Sequence, residues 1–349
     1  MAHVTRDAAP RIVLVGATGA LGSAVVELIG DLGMAYRNVQ LVASAGSAGR
    51  RAPLRGRLQP VVGLEDVDFG TADLVLFCAG EAVSRRWAHA ASAQGALVVD
   101  ASGAFGADPA TPVVVPQVNG HLLHRRPSGP VAGAGPLTVA LVPLLHGIEH
   151  RWGVRQVVLS SYQAASGLGH QGVEELLEGT ELALHDPDAE PPADRFRPAL
   201  AFNVLPLVGQ LLPDGSSGEE RRLVQETRRV LDRPHLDVTA TCVRVPVAHG
   251  HAAAVYVEAE SPVVRGELTE LLASLPAVVV HDGGCTAAPP TPLTAGDPDR
   301  VHVGRIRVSP HNPRGIWLWL VFDNLRAGAA LNLLRIARIA LAGAGVGAG

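Results

Sequence analysis

The stretch Gly16-Ala17-Thr18-Gly19-Ala20-Leu21-Gly22 constrains this chain more than any other. It follows directly on a short, largely apolar run, residues 11–15, and opens a helical pattern from Leu21 to Leu32. A buried strand, a tight turn and a helix form the first unit of a doubly wound parallel sheet. In such a unit Gly16 ends the strand, Gly19 lets backbone approach a phosphate, and Gly22 permits close helix packing. Unpaired N–H groups at the helix start, from Ala20 and Leu21 onward, then meet a pyrophosphate. Three glycines alone are a weak signal; their place between strand and helix gives them weight.

The same alternation continues. Val39 to Ala43, Leu74 to Phe77 and Leu97 to Val99 read as strands, with a helix over Val83 to Gln94. Near Ala140 the character changes. Val154 to Ser160, Val238 to Val247, Ala252 to Ala259 and Ile316 to Val321 are β-rich, with helices predicted at Gly172 to Leu184 and Glu219 to Leu231. This pattern predicts α/β architecture: an N-terminal Rossmann-type parallel sheet, then an α+β domain on a mixed, largely antiparallel sheet. Pro187 to Pro198 and Ala287 to Pro298 are polar, Pro-rich surface loops. The expected division is 1–137, with a closing helix in 326–345, and 138–325.

With 349 residues, 47% apolar and 18% charged, the chain can fill two globular cores. A net charge of −4 without a Lys/Arg run gives nucleic acid no footing. Three widely spaced cysteines make neither a disulfide framework nor a metal site. No apolar run reaches about 18 residues, and Met1 to Pro10 lacks a signal-peptide core, so a cytoplasmic protein without a membrane span is expected.

After the second strand the segment Ala43 to Arg51 carries no acid. NAD sites usually place Asp or Glu there for the ribose hydroxyls. Its absence favours NADP over NAD, with Ser44 and Ser47 as hydroxyl donors and Arg50 or Arg51 as more distant charge.

Four further blocks stand out: Ser161-Tyr162-Gln163-Ala164-Ala165-Ser166-Gly167, Arg244-Val245-Pro246-Val247-Ala248-His249-Gly250-His251, Glu219 to Arg222, and Asp323-Asn324-Leu325-Arg326. Together with the glycine turn they resemble the aspartate-semialdehyde dehydrogenase family, over about residues 11 to 340. The resemblance implies NADP-dependent interconversion of L-aspartyl 4-phosphate and L-aspartate 4-semialdehyde, a step of amino-acid biosynthesis, by a homodimer built through the second domain's sheet. It implies that His251 is the general acid/base, that Gln163 orients the intermediate, and that Arg244 binds the substrate carboxylate. Glu219 and Arg222 resemble a substrate-binding Glu and Lys pair, with Arg in place of Lys. For the cofactor it implies Gly16, Thr18, Gly19, Ala20, Leu21, Gly22, Ser44, Ser47 and Asn324, with Gly46 standing where NADP-using members carry Arg.

The departures from the family are as informative. Val131 to Thr138 occupies the place of the family's cysteine-bearing stretch, so Pro136, 27 residues before Gln163, stands where the nucleophile belongs. No cysteine occurs between Cys78 and Cys242, and Gly106 replaces a phosphate-holding Arg. Proline has no nucleophilic atom, and a thiolate is what makes the thioester step feasible. Thr138, Ser102 and Ser166 are the nearby hydroxyls; Cys78 ends a buried strand on the cofactor side, either facing the nicotinamide or simply a small apolar residue at a strand end, Cys242 reads as core, and Cys285 has no assigned role. The expectation is a nucleotide-binding pseudoenzyme. The alternative is an active NAD(P)-dependent oxidoreductase on another substrate, using His251 without a covalent thioester. A binding module without a nucleotide site is the remaining class.

Overall fold

The computed structural model describes residues 9–186, 188–283 and 288–343. Cys285, Pro187, Ala287 and the last two positions of the expected closing segment lie outside them. The chain divides into two units: residues up to Gly135 with those from Ala329 onward, and Pro136–Gly328.

The first unit is built on an eight-stranded sheet. Its elements are β1 (Arg11–Val15), α1 (Ala20–Asp31), β2 (Asn38–Ala43), β3 (Arg51–Leu54), β4 (Arg57–Gly63), β5 (Leu74–Phe77), α2 (Glu81–Ala93), β6 (Leu97–Asp100), β7 (Val113–Val114), α3 (Pro116–Asn119) and β8 (Val131–Gly133), joined by a closing helix, Leu331–Gly343. The order is β3-β4-β2-β1-β5-β6-β8-β7, parallel except for the β3–β4 pair. β5 and β6 are buried at every position because helices cover both faces, so they read as continuous apolar runs. The β3–β4 hairpin has no comparable run. Its signal is the Arg55-Gly56 turn, with φ of 47° and 72°, the positive pair that a two-residue hairpin requires.

The second unit contains α4 (Pro136–Trp152), β9 (Val154–Gln163), α5 (Gly169–His185), α6 (Gly218–Val230), β10 (Asp237–Arg244), β11 (His251–Ala259), α7 (Arg265–Ser274), β12 (Val278–His281), β13 (Val301–Ser309) and β14 (Asn312–Phe322). The sheet order is β10-β9-β11-β14-β13-β12, with the three inner pairs antiparallel and the two outer pairs parallel. The α/β class with a parallel-dominated first sheet and a mixed second sheet is as the sequence predicts. One face buries Val157, Leu159, Val255, Val257, Leu318 and Leu320 against Leu141 and Leu144 of α4 and Leu268 and Leu272 of α7. α4 escapes periodicity because it is apolar nearly all round: β9 and β11 contact it from one side, α6 and α7 from others. Pro136 at its first position costs the helix nothing, since that N–H has no intrahelical acceptor. Among the described residues no helix is long and apolar enough to cross a membrane.

The glycine turn shows why side chains are excluded there. Gly16 has φ +85°, and a Cβ on it would lie 2.7 Å from the Cys78 carbonyl. A Cβ on Gly22 would overlap the Gly16 carbonyl and lie 2.8 Å from the Ala17 Cα. Gly22→Ala should therefore lose about 1–3 kcal/mol through overpacking, although alanine is intrinsically the better helix former by about 1 kcal/mol. A lowered urea midpoint measures this; an unchanged or raised midpoint contradicts it.

Candidate functional site

Two sites arise, one in each unit. In the first unit, β1 delivers the chain to Gly16, whose N–H donates to Val42 O at 2.8 Å, while Ala17 N–H donates to the same oxygen at 3.0 Å. Gly19 then caps α1 with no side-chain hydrogen bond, so the first-turn N–H groups of Ala20, Leu21 and Gly22 keep their donors free of a side-chain cap. A backbone cradle with positive helix dipole, bounded by glycines where a Cβ would clash, fits the pyrophosphate of a dinucleotide. Thr18 is half-buried in the same turn. Ser44 is exposed and Ser47 half-buried past the end of β2. Gly46 faces open space: a Cβ on it would meet no atom within 4 Å.

In the second unit the ends of three adjacent strands meet. β9 and β10 run parallel with Gln163 paired to Arg244, and β11 starts at His251, one residue before the Ala252–Tyr162 pairing. All three side chains are buried. The loop after β9 and the turn before β11 are zipped together by Ala165 N–H to Val247 O at 2.8 Å and Ser166 N–H to Ala248 O at 3.0 Å.

One residue links the two charged or chargeable groups. The N–H of Ala164 donates to His251 Nδ1 at 3.2 Å, and the carbonyl of Ala164 accepts from Arg244 Nη1 at 2.7 Å. With Nδ1 accepting, the ring proton is assigned to Nε2. Burial, reinforced by the nearby Arg244 charge, pulls His251 down to about 3, so the imidazole is neutral at physiological pH. Burial also lowers Arg244, against the opposing field of Glu219. Gln163 Nε2 donates to Ser161 Oγ at 3.2 Å.

The remaining expected residues are placed as follows. Arg222 Nε donates to the Glu226 carboxylate at 2.7 Å, and the same carboxylate accepts from Thr138 Oγ1 at 2.8 Å. Helical spacing allows this contact, since residue 226 lies one turn beyond residue 222. Glu219 makes itself felt at Arg244 only through its field. Asn324 is buried, and its amide oxygen accepts from Ser166 Oγ at 3.0 Å and Gly250 N–H at 3.2 Å, so within its own unit it braces the two loops.

None of the hydroxyls near the expected nucleophile position is paired with a histidine. Thr138 donates to Glu226, Ser166 to Asn324, and Ser102 to Asp100 at 2.9 Å. Burial pushes the Cys78 thiol up and the Cys242 thiol up to about 12, leaving neither as a thiolate at neutral pH. Pro136 is half-buried at the start of α4; a Cβ on Gly328 would lie 2.8 Å from its Cβ, so the two residues pack in direct contact. Sequence reasoning missed Ala164, whose contribution is entirely backbone and leaves no trace in residue type.

The depressed His251 value has a consequence for stability. Between about pH 3 and the unfolded value of 6.5 the unfolded chain binds a proton that the folded imidazole refuses. Stability from this group is complete above 6.5 and is lost as pH falls toward 3, with a slope of up to about 1.4 kcal/mol per pH unit. His251→Gln should therefore flatten the decline of urea-unfolding free energy between about pH 6.5 and 4.5 relative to the unsubstituted chain. Parallel profiles would show that His251 titrates normally.

Known proteins resemble this chain over nearly its full length. Residues 11–125 match the family model described as semialdehyde dehydrogenase, NAD binding domain, and residues 145–327 match semialdehyde dehydrogenase, dimerisation domain. The aspartate-semialdehyde dehydrogenase of Streptomyces akiyoshiensis is 37% identical over 346 residues, covering 95% of this chain and 98% of that protein. That of Bacillus subtilis is 34% identical over 332 residues, covering 93% and 96%. The crystal structure of aspartate semialdehyde dehydrogenase II from Vibrio cholerae, complexed with ASA, superposes with a TM-score of 0.91 at 31% identity, over 96% of this chain and 98% of that one. Matched in both of its units and over nearly its full length, the chain belongs to the aspartate-semialdehyde dehydrogenase family.

Proposed function

We propose that this protein binds a nicotinamide dinucleotide, preferentially NADP, and an organic anion, but does not carry out the phosphorylating aldehyde chemistry for which its relatives are named. The observation that carries this reading is Pro136 at the first position of α4, with no thiolate among the described cysteines to replace it. Losing a covalent nucleophile costs roughly a million-fold in turnover where it has been measured in a protease. NADP rather than NAD is supported by the absence of any acid after β2.

Each remaining residue has a defined task in this reading. A bound nicotinamide supplies hydride-transfer capacity, and the backbone from Gly16 to Gly22 holds its pyrophosphate. Arg244 pairs with a carboxylate, and its tie to the Ala164 carbonyl fixes where that carboxylate sits. His251 presents an Nε2–H donor to a carbonyl or oxyanion while staying uncharged. Gln163 flanks both on the neighbouring strand. The preserved Nε2 donor favours one second reading, an NADP-dependent reductase of a simple carbonyl compound, in which His251 donates a proton and no acyl group is ever held by the protein.

Self-association is part of the proposal. The uncovered face of the second sheet carries a cross-strand row of Val158, Tyr256 and Trp317, flanked by the Tyr162–Trp319 pair with ring centroids 5.7 Å apart. Val158 and Trp317 are 39% and 41% exposed. An aromatic face of this kind suits burial against a second copy. Light scattering should give twice the chain mass, and Trp317→Arg should shift it toward the monomer; a monomeric wild-type protein refutes the dimer.

The enzymatic reading is tested directly. Purified protein should bind NADP more tightly than NAD by calorimetry and show no phosphate-dependent oxidation of aspartate semialdehyde; robust turnover overturns the proposal. Pro136→Cys places a thiol at a helix N-terminus, where the dipole lowers its pKa, and should raise that activity by at least about tenfold. NADPH consumption by the unsubstituted protein with a panel of aldehydes and ketones, unaffected by Pro136→Cys, would establish the second reading instead.

A further inference from the structure

A cavity of about 540 Å³ opens beside Arg244, within the second unit. Its walls come from Leu168, from residues 194–198 and from residues 203–209. Phe196, Leu205 and Val208 form its buried apolar surface, while Leu168, Val204 and Leu207 are exposed at 43%, 58% and 41%. Exposed aliphatic side chains gathered on one concavity, rather than scattered singly, mark a surface that is covered by something.

The charge at its inner end points to the ligand's polarity. Arg244 is only 6% exposed, yet among the described residues its guanidinium makes a single hydrogen bond, Nη1 to Ala164 O, leaving Nε and Nη2 without a protein acceptor. Those nitrogens are not among the fully buried unpaired atoms, so they keep access to the cavity and can donate to an acceptor that enters it. Its Cζ lies 6.0 Å from the Phe196 ring centroid, so the cation adjoins the apolar wall. Arg195 and Arg197 also line the cavity, against one acid, Asp194. Three arginines to one aspartate give a positive mouth that draws anions inward.

The size decides between a small and an extended occupant. Cavities of about 300–1,000 Å³ hold drug-sized molecules and bury most of their surface. A four-carbon acid placed on Arg244 would leave Leu168, Val204 and Leu207 in contact with water. We infer that this cavity receives the apolar body of a medium-length organic carboxylate whose head group pairs with Arg244. The inference rests on the anion-binding role proposed above for Arg244 and adds the chemical class of the tail.

Calorimetry with straight-chain saturated carboxylates from acetate to octanoate tests it on the intact protein. Each added methylene should tighten binding by about threefold, so octanoate should bind on the order of a hundredfold tighter than butanoate. Octanamide, which lacks the charge, should bind at least about tenfold more weakly than octanoate. Leu207→Glu changes an exposed wall residue with little folding risk and should erase the chain-length dependence while butanoate binding persists. Arg244→Gln, if it folds by its melting transition, should abolish binding of every acid. Acids that bind with no dependence on length, octanamide equal to octanoate, or a steep dependence that survives Leu207→Glu would each overturn the apolar-tail inference alone. Binding of NADP but of no acid at all would instead bring down the anion role of Arg244 itself.

Discussion

The peptide of Ala164 is the hinge on which the second unit's site depends. Its N–H fixes His251 as the Nε2–H tautomer, and its carbonyl holds Arg244 in place. Both bonds are buried, so neither is weakened by competition with water. Ala164 is held in turn because the next two residues are zipped to Val247 and Ala248, and Asn324 ties Ser166 to Gly250. The neutrality of His251 follows from this packing: an uncharged ring is the state that burial beside a guanidinium tolerates.

The start of α4 has an architectural requirement that is independent of any chemistry proposed for it. A helix beginning there needs a residue that does not miss its N–H, and proline meets that need. The Thr138–Glu226–Arg222 cluster and the close contact between Pro136 and Gly328 stabilise the helix start without any nucleophile. The proposed separation from the relatives' chemistry thus rests on one residue, while the glycine-bounded backbone cradle of the first unit keeps the geometry that suits a nucleotide.

Much of the fold is legible in the sequence because its signals are local and periodic. The central strands of the first sheet are continuous apolar runs, and the glycine turn announces its own geometry. The β3–β4 hairpin and α4 escape such reading for opposite reasons: the hairpin has too few apolar residues to show alternation, and α4 has too many to show an amphipathic face. Sequence spacing puts both Glu219 and Glu226 one turn from Arg222, and only the folded chain shows the ion pair to the buried Glu226.

Residue identity and short-range period are enough to fix the strand–glycine–helix start, the succession of a parallel and a mixed sheet, the kinship with the semialdehyde dehydrogenases and the lack of sulfur at position 136. The tautomer and protonation of His251, the tie of Arg244 to the Ala164 carbonyl and the apolar cavity beside it emerge only once the chain is packed. Each depends on backbone groups and side chains brought together from distant parts of the sequence, and burial, which no single residue carries, sets their energies.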